Sequence, residues 1–156
     1  MARRRRSNEE WDGTERRRQP TVLIVNDDPD ACEMLVRFVG HHGFHTVGAH
    51  NDTETMTAAF EHFPRAVVLD MVVGGIGSSL KILDQIRTSN DRRVQTARVV
   101  LCASSPRNRS FSFQSGADAF LVHPFHLQDL VDDLQDVLDR PHAERARHRR
   151  DQLATR

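Results

Sequence analysis

Acidic residues end two of the apolar segments in this sequence. Asn26, Asp27 and Asp28 directly follow the run TVLIV, and the run AVVLD ends in Asp70. Short apolar runs rich in β-branched residues are typical of parallel strands that are buried on both faces. In an open parallel sheet, functional groups collect at the carboxyl ends of the strands. We therefore expect the carboxylates that follow these two strands to meet in one pocket.

A pocket of this kind favours a cation. Neighbouring carboxylates repel each other unless a cation lies between them, and hard oxygen ligands with water completing the shell suit Mg²⁺. The cation would also neutralise charge on a phosphoryl group during in-line transfer. Asp70 is the natural acceptor of such a group, because no second carboxylate stands beside it in the sequence.

Five apolar runs alternate with five helical segments between residues 21 and 139. Strict alternation with short connections implies right-handed crossovers, and therefore an α/β fold with a doubly wound parallel sheet and helices on both sides. The predicted strands are 21–25, 45–49, 66–70, 97–103 and 117–122. The last helix is predicted over 126–138.

The helices differ in how much apolar surface they offer to the core. Asp28 is expected to cap the first helix, since an acidic N-cap followed by proline suits a helix start. The second helix is predicted to bury one side, whereas the fourth has only a thin apolar face. The residues concerned are Met56, Ala59, Phe60 and Phe63 in the second helix, and Phe111 and Phe113 in the fourth.

Charge is distributed unevenly along a chain whose formal net charge is zero. Residues 1–20 carry seven Arg and four acidic residues, residues 140–156 carry six Arg and two acidic residues, and the middle is acidic. The first 20 residues have almost no apolar side chains, so we expect a disordered basic arm there. Residues 21–139 are predicted to be the folded domain. Residues 140–156 are predicted to be a basic tail, either a frayed helix or disordered.

Composition argues against several classes of protein. No apolar run approaches the roughly 20 residues that span a bilayer, and no signal-peptide segment follows the basic start, so we expect a cytoplasmic protein without membrane contact. Cys32 and Cys102 form no CxxC pair, which argues against a zinc ribbon or a disulfide-rich secreted fold. The Arg runs can contact nucleic acid or another anion weakly and nonspecifically, although solvated tails are the simpler interpretation.

Four segments between residues 22 and 138 resemble the receiver domain of two-component response regulators. In order, they are LIVNDDPD, AVVLD, VVLCAS and GADAFLVHPF. The resemblance implies a flavodoxin-like (βα)5 fold with strand order 2-1-3-4-5. It also implies that Asp70 is phosphorylated by a histidine kinase or a phosphotransfer protein.

The same resemblance assigns Mg²⁺ as the cofactor of the site. Asp27 would bind the metal directly beside Asp70, and Asn26 would hold it through water. The main-chain carbonyl of Val72 would complete the protein ligands.

Further positions match the family but carry unusual residues. Cys102 stands at the switch threonine or serine position and is only a weak hydrogen-bond donor. Phe120 stands at the aromatic switch position and has no hydroxyl. His123 replaces the phosphate-pairing lysine; it is shorter and only partly charged near neutrality. The His123-Pro124 peptide is expected to be cis. Asn26 removes one charge from the usual acidic pair, and Gly74 replaces the usual proline after the acceptor.

Two functions follow from these matches and departures. The leading hypothesis is a stand-alone receiver that is phosphorylated on Asp70 and signals to a downstream protein through contacts near the fourth helix. That surface would contain Arg107, Arg109, Phe111 and Phe113. The alternative is a pseudo-receiver that binds partners without phosphorylation. An enzyme is not expected, because the first loop is acidic where a flavin carrier needs hydroxyls, and Asn26 occupies the position of a phosphatase nucleophile.

Overall fold

Five parallel strands form a single sheet in the order β2-β1-β3-β4-β5. The computed structural model of the protein describes residues 19–154. This topology confirms the predicted fold class and strand order. The predicted arm at 1–20 lies almost wholly outside the described residues. The strands are β1 (Thr21–Val25), β2 (His45–Ala49), β3 (Ala66–Leu69), β4 (Arg98–Ala103) and β5 (Ala119–Val122).

Helices cover both faces of the sheet, because the central strands are apolar on both sides. The strand β1 buries four consecutive residues, Val22 to Val25. The described helices are α1 (Pro29–Gly40), α2 (Asp52–His62), α3 (Gly75–Arg87), α4 (Arg92–Gln95), α5 (Arg109–Gln114), α6 (Leu127–Asp139) and α7 (Arg145–Ala154). One core layer packs α2 and α3 against the sheet, and the other packs α1 and α6 against it.

Several boundaries differ from those predicted. The strand β3 ends one residue before Asp70, and β4 and β5 begin later than expected, at Arg98 and Ala119. The short helix α4 was not predicted; it begins after Asp91, whose carboxylate accepts from the N–H of Arg93 over 2.9 Å. The predicted cap of α1 is confirmed, since the Asp28 carboxylate accepts from the N–H of Asp30 over 3.2 Å.

Two predicted apolar faces were partly wrong. In α2, Ala59 is buried but Phe60 is 47% exposed, because small residues of this helix lie against the sheet and leave the large ring outside. In α5, Phe111 is 58% exposed but Phe113 is buried, so only one of the two rings belongs to the surface. Both errors arise because neighbouring apolar residues on a short helix point in different directions.

The C-terminal segment differs from the predicted frayed or disordered tail. Residues 145–154 form the helix α7, which packs against α5. Arg145 is only 5% exposed, and its Nε and Nη2 donate to the two oxygens of Asp118 over 2.9 Å each. A buried carboxylate requires such a partner, and Asp118 is 1% exposed. The charge of the segment thus fixes it to the domain.

Arg87 contributes a second cation to this buried carboxylate. Its Nη2 donates to Asp118 over 3.0 Å, and its other N–H groups donate to the carbonyls of Gly116, Gln95 and Ala97. Burial alone would raise the pKa of Asp118, but the hydrogen bonds and charge of Arg145, together with the charge of Arg87, hold it below its ordinary value. The network therefore joins α3, the start of β5 and α7. Among residues 19–154, no helix has the length and apolarity needed to cross a membrane.

Removal of the Asp118 charge tests this network. We expect Asp118→Asn to lower the free energy of unfolding by roughly 3 to 5 kcal/mol, because it leaves buried arginines without an anionic partner. Since the folded-state pKa of Asp118 is depressed, its contribution is present at neutral pH and is lost as the pH falls below about 4. Urea unfolding at pH 7 and at pH 3.5 measures both effects.

The matched control is Asp136→Asn. The Asp136 side chain is 68% exposed and pairs with Arg140 at the surface. This variant should change the free energy of unfolding by less than about 1 kcal/mol. Equal effects of the two substitutions would contradict the structural role assigned to Asp118.

Candidate functional site

Asp70 lies at the carboxyl end of β3, where side chains from the segments that follow two other strands enclose it. Its backbone N–H donates to the Val25 carbonyl over 2.9 Å, and the residue is 3% exposed. Its Oδ1 lies 2.7 Å from Nε2 of His123, and its Oδ2 accepts from Nδ2 of Asn26 over 3.3 Å. Each carboxylate oxygen of Asp70 therefore has a protein partner.

His123 reaches Asp70 from the loop that follows β5. Its backbone N–H donates to the Ala103 carbonyl over 2.9 Å, and its peptide bond to Pro124 is cis, as expected. The imidazole packs against Phe125, with 4.6 Å between ring centroids. The His123 side chain is 40% exposed, whereas that of Asp70 is 5% exposed, so the imidazole covers the carboxylate on the solvent side.

Asn26 follows β1 and is 1% exposed. While its Nδ2 donates to Asp70, its Oδ1 accepts from the N–H of Asp28 over 2.8 Å. An aspartate at this position would bring a second negative charge to Asp70, whereas the amide offers it a donor. The Asn26 substitution noted in the sequence thus becomes a direct hydrogen bond to the predicted acceptor.

Asp27 binds the loop after β3 through three consecutive backbone amides. Its Oδ1 accepts from the N–H groups of Val72 and Val73 over 2.8 and 2.9 Å, and its Oδ2 accepts from Gly74 over 2.7 Å. Burial alone would raise the pKa of Asp27, but these backbone hydrogen bonds lower it below its ordinary value. We refer to this arrangement of Asp27 with residues 72–74 as the amide clasp.

Two features of Gly74 suit the amide clasp. A proline, which the resemblance noted in the sequence leads us to expect here, has no N–H to donate. A Cβ at Gly74 would also lie 2.2 Å from Oγ and 2.9 Å from Cβ of Ser78, so the Ser78 side chain or the backbone would have to shift. Sequence reasoning missed the amide clasp, and the one signal that could have indicated it was glycine in place of proline.

Cys102 and Phe120 lie near the site without touching Asp70. Cys102 is on β4 and is 3% exposed; burial and the nearby charge of Asp70 raise the pKa of its thiol well above the ordinary value. It is a small buried side chain in the core layer that contains α1 and α6. Phe120 is on β5, half-buried against the core layer that contains α3.

The predicted Mg²⁺ ligands are hydrogen-bonded to groups of the protein in this arrangement. Both oxygens of Asp27 face N–H groups, and both oxygens of Asp70 face donors or an imidazole. Val72 contributes its N–H to the amide clasp. An ionised carboxylate has more acceptor sites than these contacts occupy, so Mg²⁺ would share Asp27 and Asp70 with the hydrogen-bond donors or displace them.

Comparison with known proteins assigns the chain to a family. A sequence model described as the response regulator receiver domain matches residues 22–135. This chain belongs to that family. The match extends from β1 into α6 and thus covers every residue of the site described above. The receiver's α7 lies beyond the matched segment.

The receiver has curated relatives that are longer than itself. The transcriptional regulatory protein PrrA of Mycobacterium tuberculosis is 32% identical over 125 residues, which cover 78% of the receiver chain and 51% of PrrA. The chain thus spans about half the length of the curated relatives it matches. The transcriptional role in that name belongs to PrrA.

Solved structures share the receiver's fold. A putative response regulator from Chloroflexus aurantiacus J-10-fl is 24% identical with a TM-score of 0.69, over 79% of this chain and 100% of that one. The response regulator TrrA from Thermotoga maritima, solved in complex with Mg²⁺ and BeF, is 25% identical with a TM-score of 0.64, over 76% of this chain and 99% of that one.

The amide clasp can be tested by hydrogen exchange. We expect Asp27→Ala to accelerate exchange of the Val72, Val73 and Gly74 amides by about tenfold or more, because hydrogen bonds to a charged acceptor contribute about 1.5 to 3 kcal/mol each. NMR-detected exchange at neutral pH measures the rates. Asp28→Ala is the control, since that carboxylate caps α1 and should leave these three amides unchanged. Unaltered exchange in Asp27→Ala would show that other contacts hold the loop.

Proposed function

We propose that this receiver acts as a protein-binding signalling module whose acceptor position is closed in the resting state, so that it binds partners without phosphorylation. The observation that carries the proposal is the enclosure of Asp70. The residue is 3% exposed, and its two oxygens contact His123 and Asn26. A phosphoryl donor would have to displace the imidazole before it could reach the carboxylate.

The amide clasp supports the same proposal. A metal ion normally offsets the negative charge that gathers around a phosphoryl group during transfer. Here Asp27, the expected direct ligand, is bound to three amides and carries a depressed pKa, which marks its charge as already stabilised by the protein. Asn26, His123 and the three amides together satisfy the carboxylates with hydrogen bonds.

A second candidate function is phosphorylation of Asp70 by a histidine kinase or phosphotransfer protein, with Mg²⁺ as cofactor. One observation favours it: the His123 side chain that covers Asp70 is itself 40% exposed. A rotation of this imidazole would therefore open the carboxylate without any change in the core. Membership of the receiver family supports the broader two-component context for both candidates.

The surface available to a downstream protein differs from the one expected around the predicted fourth helix, which is α5 in the structure. Phe113 is buried, and Arg109 donates to the main-chain and side-chain oxygens of Gln152 in α7. Phe111 remains exposed there. Beside the site, Val73 is 81% exposed in the loop that carries the amide clasp. We propose Phe111 and Val73 as the apolar contacts for a protein partner, within a cytoplasmic setting.

Titration with Mg²⁺ and beryllofluoride separates the two candidates. We expect the amide resonances of Asp70 and residues 72–74 in the unaltered protein to stay in place up to about 10 mM Mg²⁺, because Asn26 brings no charge to the site and both oxygens of Asp70 already contact Asn26 and His123. The double variant Asn26→Asp/His123→Lys, which restores the usual residue types, should show saturable shifts in the same range. NMR spectra of both proteins provide the comparison.

Labelling with a small phosphodonor completes this test. Asp70→Ala is the control variant, since it removes the acceptor carboxylate. Label on the unaltered protein that is absent from Asp70→Ala, together with saturable Mg²⁺ shifts, would refute the phosphorylation-independent function and establish the second candidate.

A further inference from the structure

A polar cleft of about 190 Å³ lies where the helix α7 meets the body of the domain. Its lining combines residues from α3 and α4 with residues from the C-terminal segment. They include Arg87, Gln95, Thr96, His142, Arg145 and Arg149. The cleft is remote from Asp70, and its function is independent of the one proposed for that site.

The charges around this cleft do not balance. Three guanidinium groups, of Arg87, Arg145 and Arg149, surround the single carboxylate of Asp118, which is 1% exposed. The group therefore carries a net charge of +2. Burial lowers the pKa of Arg87 to about 10, and the positive charges of Arg145 and Arg149 contribute to that shift against the opposing charge of Asp118. An anion in the cleft would offset the excess positive charge.

The three arginines differ in how many hydrogen bonds they make to other groups of the protein. Arg87 and Arg145 each donate to Asp118 and to main-chain carbonyls, which holds their guanidinium groups in fixed positions. Arg149 makes a longer contact of 3.3 Å with Asp118, and its side chain is 25% exposed. Its planar fork of donors suits the oxygens of a phosphate group. Arg149 is therefore the residue best placed to bind a ligand in the cleft.

We propose that this cleft binds an oxyanion, namely a phosphate group carried by a small soluble molecule or by a lipid headgroup. Arg149 donates to the anion, while the positive field of Arg87 and Arg145 stabilises its charge. Because the lining comes from both the body and α7, a bound phosphate group fastens α7 to the domain. The ligand stabilises the docked form according to its concentration relative to its dissociation constant.

The experiment compares Arg149→Gln with Arg150→Gln in the full chain. Each variant loses one positive charge, so the two carry the same net charge. Arg150 is exposed on the same helix and does not line the cleft. Pyrophosphate is titrated at constant ionic strength against chloride, with thermal unfolding and NMR amide shifts as readouts. We expect a saturable rise in Tm and shifts at Gln95, Thr96 and Ala146 in the unaltered protein and in Arg150→Gln. Affinity should fall about tenfold or more in Arg149→Gln.

A second arm distinguishes the source of the phosphate group. The same proteins are sedimented with phosphatidylcholine vesicles that contain phosphatidic acid, and with vesicles of phosphatidylcholine alone. Saturable pyrophosphate binding that Arg149→Gln weakens supports the site with a soluble ligand. If the vesicles bind the protein and only Arg149→Gln weakens that binding, the result supports the proposed site with a lipid headgroup as its ligand. Equal behaviour of the two variants in both arms, or no binding in either, overturns the proposal.

The integrity of α7 in Arg149→Gln is checked without ligand. Arg145 makes the anchoring contacts with Asp118, so amide exchange in α7 should match that of Arg150→Gln. Loss of binding with α7 still docked supports a ligand role for Arg149. Loss of binding with α7 undocked overturns that role, because Arg149 would then be structural.

Discussion

The site around Asp70 depends on one electrostatic constraint, which is that the carboxylate of Asp27 must have hydrogen-bond partners at the edge of the sheet. Parallel pairing of β1 with β3, in which Val25 aligns with Leu69, brings the segments that follow both strands to the same edge. Asp27 then lies close enough to bind the turn that comes after Asp70. Three backbone amides donate to the Asp27 carboxylate, and these hydrogen bonds fix the backbone from Val72 to Gly74. The rest of the site is arranged around that fixed turn.

Two carboxylates follow neighbouring strands at this edge, and the protein stabilises them with its own groups. Backbone N–H groups donate to Asp27, while the Asn26 amide and the His123 imidazole contact Asp70. Hydrogen bonds to an ionised carboxylate lower its free energy, as a cation would, but they are directional and occupy its lone pairs. The substitutions at Asn26, His123 and Gly74 thus act together, since each supplies a donor to one of the two carboxylates. Seen separately in the sequence, they look like three unrelated departures.

The sequence predicts those parts of the structure that follow from strand order. Asp70, with its neighbours from the other strands, could be placed because the carboxyl ends of parallel strands meet at one edge. The hydrogen bonds of Asp27 could not be predicted, because they depend on the backbone conformation of a glycine-containing turn. The pairing of Arg145 with Asp118 was also hidden: the two are 27 residues apart, and α7 has no apolar stripe that indicates a docked helix. Charge, which is usually a sign of solvent exposure, here fastens the segment.

The docking of α7 also bears on the lifetime of the protein. An arginine-rich segment is ordinarily an easy substrate for trypsin-like proteases, which need several extended residues around the cleaved bond. Here Arg145 is buried and the chain around it is helical, so these bonds become accessible only when α7 leaves Asp118. Cleavage then follows the population of the undocked form. The resistance of this C-terminal segment to proteolysis is therefore set by the contacts that dock α7, which include the buried pairing of Arg145 with Asp118.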